Sequence, residues 1–344
     1  MTDRALTVWL TPIDGPLPNI ALMKLHHYHA SKGDAVTFRR DLDRAMWDEE
    51  PDIHYASSIF KFSQERLMRF QMHWPKAIIG GTGTPFTHTV EGVLGVDEYE
   101  HLDYSGYPDF TASIGFSQRG CRLKCKFCVV PAKEGKPRSV NNIAALWRGD
   151  PYPKHLHLLD NDFFGQPDWR DRIAEIRDGG FKVCLSQGIN VRLIHEEGAG
   201  ALATIDYRDN DFANKRLYTA WDNLKDEAIF FKGVDTLEQA GIPPKHLMAY
   251  MLLGFDKAET WDRIWHRFTS MVERGISPYP MVFDRSRKDL LCFQRWTIAM
   301  GGLYRFIAWG DYERETKSAT SVEAWKPYQE RLMAALPKLQ KVAA

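Results

Sequence analysis

The sequence predicts an α/β protein with parallel strands, in which a small N-terminal unit precedes a partial (β/α)6 barrel and a helical C-terminal tail. Short apolar runs alternate with helical segments along most of the chain. Polar residues gather just after the strand segments. The 344 residues are enough for two domains or for one large barrel with an appendage. The predicted boundaries are residues 1–105, 106–285 and 286–344.

The first hundred residues predict alternating strands and helices. A strand at residues 6–10 precedes a helix at 19–31, and strands at 35–38 and 52–60 precede a helix at 63–73 that Pro75 ends. A fourth strand at 77–79 runs into the turn Gly80-Gly81-Thr82-Gly83. This alternation predicts a small Rossmann-like unit with parallel strands. Since the turn lacks a Walker A ending, we expect a tight turn, with phosphate binding as the alternative.

Six further strand segments predict the barrel. They are expected at residues 110–116, 155–159, 182–185, 216–220, 246–253 and 280–283, with helices at 141–148 and 169–178. Six strand–helix units indicate a partial barrel, and the polar residues after the strands would lie at its carboxyl-terminal face, where barrel active sites are found. From residue 284 the tail is helical and includes an amphipathic segment at 322–339.

Composition narrows the classes of function. Lys plus Arg and Asp plus Glu both number 45, and the resulting net charge of zero indicates neither nucleic-acid nor membrane binding. A net charge of zero is compatible with a local basic patch, so a nucleic-acid partner is not excluded. No apolar run approaches the ~20 residues that span a bilayer, and the first residues lack the pattern of a signal peptide. With only five cysteines the chain is not a disulfide scaffold, so we expect a reducing, cytoplasmic setting.

The most informative feature is the Cys-x3-Cys-x2-Cys spacing of Cys121, Cys125 and Cys128. Iron–sulfur clusters are normally held by four Cys thiolates, so three clustered thiolates can hold three irons of a 4Fe–4S cube and leave the fourth open. A zinc knuckle would need a second cysteine pair downstream, and none follows. A non-catalytic Fe–S or zinc-binding protein stays the alternative, with Cys184 as the fourth ligand.

This cysteine loop, with Phe127 just before its last cysteine, resembles the signature of the radical SAM superfamily. The resemblance implies a 4Fe–4S cluster on the three cysteines and S-adenosylmethionine (SAM) bound at the open iron. It also implies that reductive cleavage of SAM gives a 5′-deoxyadenosyl radical, which abstracts hydrogen from a substrate. An external one-electron reductant of the flavodoxin or ferredoxin type is then required. The substrate stays open among a modified nucleobase, a peptide and a small metabolite.

The resemblance also assigns contacts to SAM. It places Phe127 near the adenine. It places Asp160, Asn161 and Asp162 where the family has a Gly-Gly-Glu-like motif that contacts the amino group of SAM, and the carboxylates here keep an acceptor for that ammonium. The remaining contacts of the family, to the ribose, the carboxylate and the adenine, correspond in this chain to Ser186, Gln187, Arg192, Asp222 and Gly254.

The N-terminal unit is similar to the cobalamin-binding-type domain that precedes the barrel in one branch of the superfamily. That branch carries Asp-x-His-x-x-Gly after its first strand, with the His on cobalt, whereas no His follows Asp14 at that spacing. We therefore expect no cobalamin ligated through this loop. A cobalamin-dependent radical SAM methylase that lacks the His ligand stays an alternative. We expect the unit to cover the barrel mouth as a lid.

Other basic and cysteine residues have no assigned role. Lys133, Lys136 and Arg138 follow the cysteines, where a solvated loop or an anionic partner would explain them. We expect Cys184 to be a small core residue. The chain has no further cysteine run, so a second cluster is not predicted. A second basic group beside the sixth strand, which fits either a phosphate or a solvated helix face, comprises Arg285, Arg287, Lys288 and Arg295.

Overall fold

The computed structural model describes residues 4–86 and 88–340, and it confirms a mixed α/β protein with parallel sheets. The chain divides into two compact units, Met1–Thr111 and Ala112–Ala344. Residues 286–344, expected as a separate tail, fall within the second unit. Within the described ranges, no helix combines the length and the apolar character that a membrane span requires.

The first unit is a four-stranded parallel sheet with helices on both faces. Its elements are β1 (Thr7–Pro12), α1 (Ile20–Ser31), β2 (Ala35–Phe38), β3 (Ile53–Ser57), α2 (Gln64–His73), β4 (Ile78–Gly80) and α3 (Val90–Leu94). The strand order is β2-β1-β3-β4. Tyr55 packs in the apolar cluster of α1 and its neighbour Ala56 in that of α2. Because successive residues of a strand point to opposite faces, the two helices cover opposite sides of the sheet.

The third strand ends at Ser57, before the expected residue 60, because the chain turns there to contact Asp14. The carboxylate of Asp14 accepts hydrogen bonds from the backbone N–H groups of Ile59 and Phe60. These bonds satisfy backbone donors that a longer strand would have paired within the sheet. The side chain that follows β1 therefore fixes the loop that follows β3.

The glycine-rich turn after β4 packs against that same loop. The Gly83 N–H donates to the carbonyl of Ser58 over 2.9 Å. Gly81 has a φ of +110°, and a Cβ at this position would lie 2.2 Å from the Ser58 oxygen. Only glycine allows this backbone approach. Close packing thus accounts for the glycine sequence as a tight turn.

The second unit contains two parallel sheets and one short antiparallel pair. Its strands are β5 (Ser113–Gly115), β6 (Gln118–Arg119), β7 (Arg138–Ser139), β8 (His155–Leu158), β9 (Lys182–Cys184), β10 (Asp206–Tyr207), β11 (Leu217–Ala220), β12 (Leu247–Leu253) and β13 (Ser277–Val282). The parallel sheets have the orders β10-β9-β8-β5 and β11-β12-β13, and β6 pairs with β7. Each of the six predicted strands overlaps an observed one.

Helices connect most of these strands. They are α4 (Val130–Glu134), α5 (Ile143–Leu146), α6 (Trp169–Asp178), α7 (Glu196–Ala203), α8 (Glu227–Gln239), α9 (Trp261–Glu273), α10 (Lys288–Ile298) and α11 (Ala319–Gln340). The predicted helices at 141–148 and 169–178 correspond to α5 and α6. The pattern did not single out α7, α8 and α9, although α9 buries a broad apolar face.

The C-terminal helices belong to the core of the second unit. The ring of Trp265 on α9 lies 4.5 Å from that of Trp325 on α11 and 5.0 Å from that of Phe293 on α10, measured between centroids. Its indole N–H donates to the carbonyl of Ser321 over 3.0 Å. All three rings are buried. Because large aromatic side chains contribute strongly to core energetics, this packing makes the tail part of the unit.

His54 on β3 is buried in the core of the first unit. The ring of His54 lies 4.9 Å from that of Trp74 and 5.1 Å from that of Phe70, and its Nε2 is 2.9 Å from the hydroxyl of Thr11. Burial lowers the pKa of His54 from 6.5 to about 4, and the positive charge of Arg39 adds to the effect. The folded protein therefore holds this imidazole neutral at neutral pH.

We expect the first unit to lose stability as the pH falls from 7 to 5. The folded pKa of His54 lies below its unfolded value, so the unfolded chain takes up the proton first. The contribution of His54 is thus present above pH 6.5 and is lost as the pH falls through that value toward 4. Between pH 7 and 5 the loss is about 2 kcal/mol. Urea unfolding of His54→Gln at both pH values should lack this part of the acid dependence.

The control for this experiment is His73→Gln. His73 lies in the same unit, its side chain is 39% exposed, and its replacement should preserve the acid dependence of the wild type. An acid dependence in His54→Gln equal to that of the wild type would contradict the assignment.

Candidate functional site

The three clustered cysteines lie on one loop, which the β6–β7 pair closes at its base. Residues 120–137, which run from β6 to β7, are called the cysteine loop below. Within it, the Cys121 N–H donates to the carbonyl of Gly135 over 3.3 Å, and the Cys128 N–H donates to that of Cys125 over 3.0 Å. The first of these bonds joins the two ends of the loop, and the second closes a turn between Cys125 and Cys128.

A bidentate ion pair anchors the cysteine loop to the segment that follows β8. Arg122 donates its Nε and Nη2 to the two carboxylate oxygens of Asp162 over 2.8 and 2.9 Å. The backbone N–H of Arg122 donates to the same carboxylate over 3.0 Å. Asp162 is only 1% exposed, so these donors replace water around its charge. Forked pairs of this kind are both strong and directional, and this one fixes the residue that directly follows the first cysteine.

Asp160, in the same segment, fixes the chain just before the cysteine loop. Its buried carboxylate accepts hydrogen bonds from the N–H groups of Ser117 and Gln118 over 2.8 and 3.0 Å, and from the Ser117 hydroxyl. Burial raises the pKa of Asp160 to about 7, against the opposing effect of these hydrogen bonds. The observed role of Asp160 is thus to position residues 117–118. Its contact with the amino group of SAM stays a prediction.

Asn161 takes part in a second set of contacts, which centre on Glu134 of α4. Glu134 forms an ion pair with Arg119 over 3.0 Å and accepts from the Gly120 N–H over 3.0 Å. The same carboxylate accepts from the side-chain amide of Asn161 over 3.1 Å. Asp160, Asn161 and Asp162 therefore each contact the cysteine loop or the chain adjoining it.

Gln118 is a site residue that the sequence analysis did not identify. Its side-chain amide donates to the carbonyls of Arg119 and Gly120, each over 2.7 Å, and accepts from the Asp162 N–H over 3.1 Å. One fully buried amide thus satisfies three backbone groups. The only signal in the sequence was a polar residue soon after an apolar strand, which is too common to identify it.

The three thiols of the cysteine loop are free and partly buried. Burial raises the pKa of both Cys121 and Cys128, and charges on the neighbouring cysteines raise it further. Among the residues that the structure describes, no three His, Cys, Asp or Glu side chains stand together as a metal-holding group. Three thiols on one short loop suit an iron–sulfur cluster as a donor set, and holding one requires their side chains to turn toward a common centre.

Asp222, which follows β11, is a predicted site residue whose charge reaches the cysteines from another strand end. Its carboxylate raises the pKa of Cys128. It accepts a hydrogen bond from the Leu252 N–H over 3.2 Å. Burial raises the pKa of Asp222 itself, while Arg192 and Arg267 oppose that shift. Asp222 thus connects the ends of β11 and β12 electrostatically to the cysteine loop.

A buried ion pair joins the carboxyl ends of β11 and β12. Arg267 on α9 is fully buried and donates to the carbonyls of Trp221 and Leu252 over 2.8 and 3.1 Å, as well as to the carboxylate of Glu259. Burial lowers the pKa of Arg267 and raises that of Glu259, and their mutual attraction opposes both shifts. Neither residue was predicted, because an Arg on an amphipathic helix normally indicates the exposed face.

Aromatic rings line the same edge. The ring of Phe127 lies 5.5 Å from that of Phe255, which lies 5.0 Å from that of Phe283, both pairs edge to face. Phe255 follows Gly254 at the end of β12, and Gly254 has a φ of +75°. Phe283 directly follows β13. The predicted residues Phe127 and Gly254 are therefore brought together, through Phe255, at the carboxyl ends of β12 and β13.

Among the predicted residues after β9, Ser186 and Arg192 are bonded to parts of the chain other than the cysteine loop. Ser186 is partly buried, and its carbonyl accepts a hydrogen bond from the Tyr250 hydroxyl over 2.7 Å. Gln187 is exposed. Arg192 forms an ion pair with Asp226 over 2.8 Å, so its guanidinium already has a carboxylate partner within the chain. The contacts of these three residues with SAM stay predictions.

Comparisons with known proteins assign no family and no function to this chain. The chain matches no protein-family model, no curated protein and no solved structure. A functional conclusion must therefore depend on the residues and contacts described above.

We expect Asp162→Ala to loosen the cysteine loop. The change removes the acceptor for the Arg122 side chain and backbone N–H, and it should lower the free energy of unfolding by about 1–3 kcal/mol. Hydrogen–deuterium exchange of residues 117–139 should become faster than in the wild type, because the loop loses its anchor to β8.

The matched control is Asp178→Ala. Asp178 is also paired with an arginine, but its side chain is 66% exposed. This change should leave the exchange of residues 117–139 as in the wild type. Identical exchange of that segment in Asp162→Ala and the wild type would show that the ion pair does not hold the loop.

Proposed function

We propose that this protein is a radical SAM enzyme with one 4Fe–4S cluster on Cys121, Cys125 and Cys128. The observation that carries the proposal is the anchoring of the Cys-x3-Cys-x2-Cys loop, through Arg122 and Asp162, beside the carboxyl end of β8. Ligands of α/β proteins bind at this end of parallel strands. When bound, the cluster supplies the electron that cleaves SAM to a 5′-deoxyadenosyl radical, which abstracts hydrogen from the substrate.

The proposed framework is a partial barrel of the six strands β5, β8, β9, β11, β12 and β13. Two observations support it. All of these strands pair in parallel within their sheets. Just after β9, the Ile189 N–H donates to the carbonyl of Tyr218 on β11 over 2.7 Å, which ties one sheet to the other. In such a barrel the segments after β8, β11 and β12 open on one face.

The proposed work of the protein is to orient the cofactors and to exclude water. Asp162 holds the cysteine loop in place through Arg122. Phe127 and Phe255 shield the thiolates from solvent. Asp222 accepts a hydrogen bond from an amino or hydroxyl group of SAM, and its burial strengthens that bond.

The proposed electron donor is a one-electron carrier of the flavodoxin or ferredoxin type. Lys124 and Lys126 are exposed between the cysteines and give this part of the loop a positive charge. An acidic surface on the donor would complement that charge and speed association. An oxygen-labile cluster suits a reducing cytoplasm. The substrate stays open among a modified nucleobase, a peptide and a small metabolite.

We also propose that the first unit does not ligate cobalt through the loop after β1. The carboxylate of Asp14 is occupied by the N–H groups of Ile59 and Phe60. The loop offers no His at the position where the cobalamin-dependent branch carries one. The expected role of this unit as a lid over the barrel mouth stays a prediction.

We expect Cys121→Ala, Cys125→Ala and Cys128→Ala each to abolish cluster assembly and SAM cleavage, because each removes one of three clustered thiolates. Iron and sulfide content after anaerobic reconstitution, and release of 5′-deoxyadenosine under reduction, measure the two losses. Cys184→Ala and Cys292→Ala are the controls and should retain both. A loop variant with full iron and full cleavage would refute the proposal, and loss of iron in Cys184→Ala would favour a four-cysteine site.

We expect Asp222→Asn to keep the cluster and to weaken SAM binding about tenfold or more, since an amide of the same shape lacks the charge of the carboxylate. The SAM-induced change in the EPR spectrum of the reduced cluster measures this affinity. Asp235→Asn, which alters a carboxylate paired with Arg274 on the exposed side of α8, should bind SAM as the wild type does. An unchanged SAM titration in Asp222→Asn would remove Asp222 from the site.

A further inference from the structure

A surface cavity of about 650 Å³ lies beside α10 in the second unit. Its lining residues come from α10, from Arg285 before that helix, and from Tyr312, Arg314 and Thr316. Four of its lining residues are basic and none is acidic; the four are Arg285, Lys288, Arg295 and Arg314. Small-molecule sites commonly occupy 300–1,000 Å³, so the cavity has the size of a ligand site and is larger than a bare inorganic anion requires.

The geometry of α10 creates this cavity. Leu290, Phe293 and Trp296 form the buried stripe of the helix and pack into the core. Lys288 and Arg295 lie seven residues apart, about two helical turns, and so fall on one shared face that lines the cavity. The packing of the apolar stripe therefore fixes the direction in which the basic side chains extend.

No acidic side chain is among the residues that line the cavity. Asp289, the acid adjoining Lys288, is already paired with Arg287 over 2.7 Å. Arg314 donates to the hydroxyl of Tyr312 over 3.2 Å. Within residues 4–86 and 88–340, the ion pairs formed by the chain include neither Lys288, Arg295 nor Arg314. Clustered like charges repel, and an anion among them relieves that repulsion.

The floor of the cavity is apolar. Leu291, Ile298 and Ala299 line it, together with Cys292 and Tyr312, which are 5% and 6% exposed. A ring or an aliphatic group placed on these residues would bury apolar surface. Basic side chains next to apolar ones suit a small amphipathic anion, which can contact both kinds of residue at once.

We propose that this cavity binds a phosphorylated small molecule. The phosphate lies among Lys288, Arg295 and Arg314, since guanidinium groups pair with phosphate in a forked geometry. The organic part of the ligand lies on the floor beside Ile298 and Tyr312. The proposal is independent of the radical SAM assignment, because no residue of the cavity belongs to the cysteine site.

Isothermal titration calorimetry of the full-length protein at fixed ionic strength tests the proposal, with phenyl phosphate and inorganic phosphate as probes. Phenyl phosphate should bind the wild type at least threefold more tightly than inorganic phosphate, because it also contacts the floor. Arg295→Ala and Lys288→Ala should each weaken phenyl phosphate about tenfold. Arg295→Lys should retain part of the affinity. Both positions are exposed, so these variants should fold.

The matched control is Arg263→Ala, which removes an exposed arginine from α9 outside the cavity and should bind phenyl phosphate within twofold of the wild type. Cys125→Ala should also bind it with unchanged affinity, so failure of the cluster assignment would not affect this result. No binding of phenyl phosphate to the wild type would overturn the proposal, even if an acidic protein bound there. An equal loss in Arg263→Ala, or equal affinity for both probes, would overturn it as well.

Discussion

The forked ion pair between Arg122 and Asp162 is the interaction on which the candidate site depends. The eight residues that carry the three thiols form no helix or strand, so their position depends on contacts with other parts of the chain. Asp162 provides such a contact from the end of β8, and it is held there by the Gln118 amide through its backbone N–H. Asp160 anchors the residues just before the loop, because it accepts hydrogen bonds from the N–H groups of Ser117 and Gln118. The position of the cysteines is therefore set by carboxylates that lie some forty residues further along the chain.

These carboxylates also determine the electrostatic character of the site. Asp162 raises the pKa of Cys121, and Glu134 and Asp222 raise that of Cys128. Two of these acids are already paired with arginines, Asp162 with Arg122 and Glu134 with Arg119. Each of the three acids still disfavours the thiolate form of the cysteine beside it, because like charges repel.

The basic cavity beside α10 has the opposite character. The chain has equal numbers of acidic and basic residues, yet their placement is uneven: acids gather at the ends of β8 and β11, and four basic side chains line the cavity. Arg267 is paired with Glu259 and donates to two carbonyls at the ends of β11 and β12. Breaking a buried pair of this kind typically costs about 3–5 kcal/mol, so it holds these strand ends firmly.

The sequence by itself determined the α/β class, the six strands that the structure overlaps, and the spacing of the three clustered cysteines, because hydrophobic period and residue spacing are local properties. It also directed attention to residues 160–162, since polar groups after a parallel strand reach a common edge. Only the tertiary structure decided which partners those groups have. Asp160 contacts Ser117, Arg192 pairs with Asp226, Arg267 is buried, and the tail joins the core of the second unit. Such pairings join residues that are distant along the chain, and local patterns carry no information about which distant residues the packing of strands and helices brings within hydrogen-bonding distance.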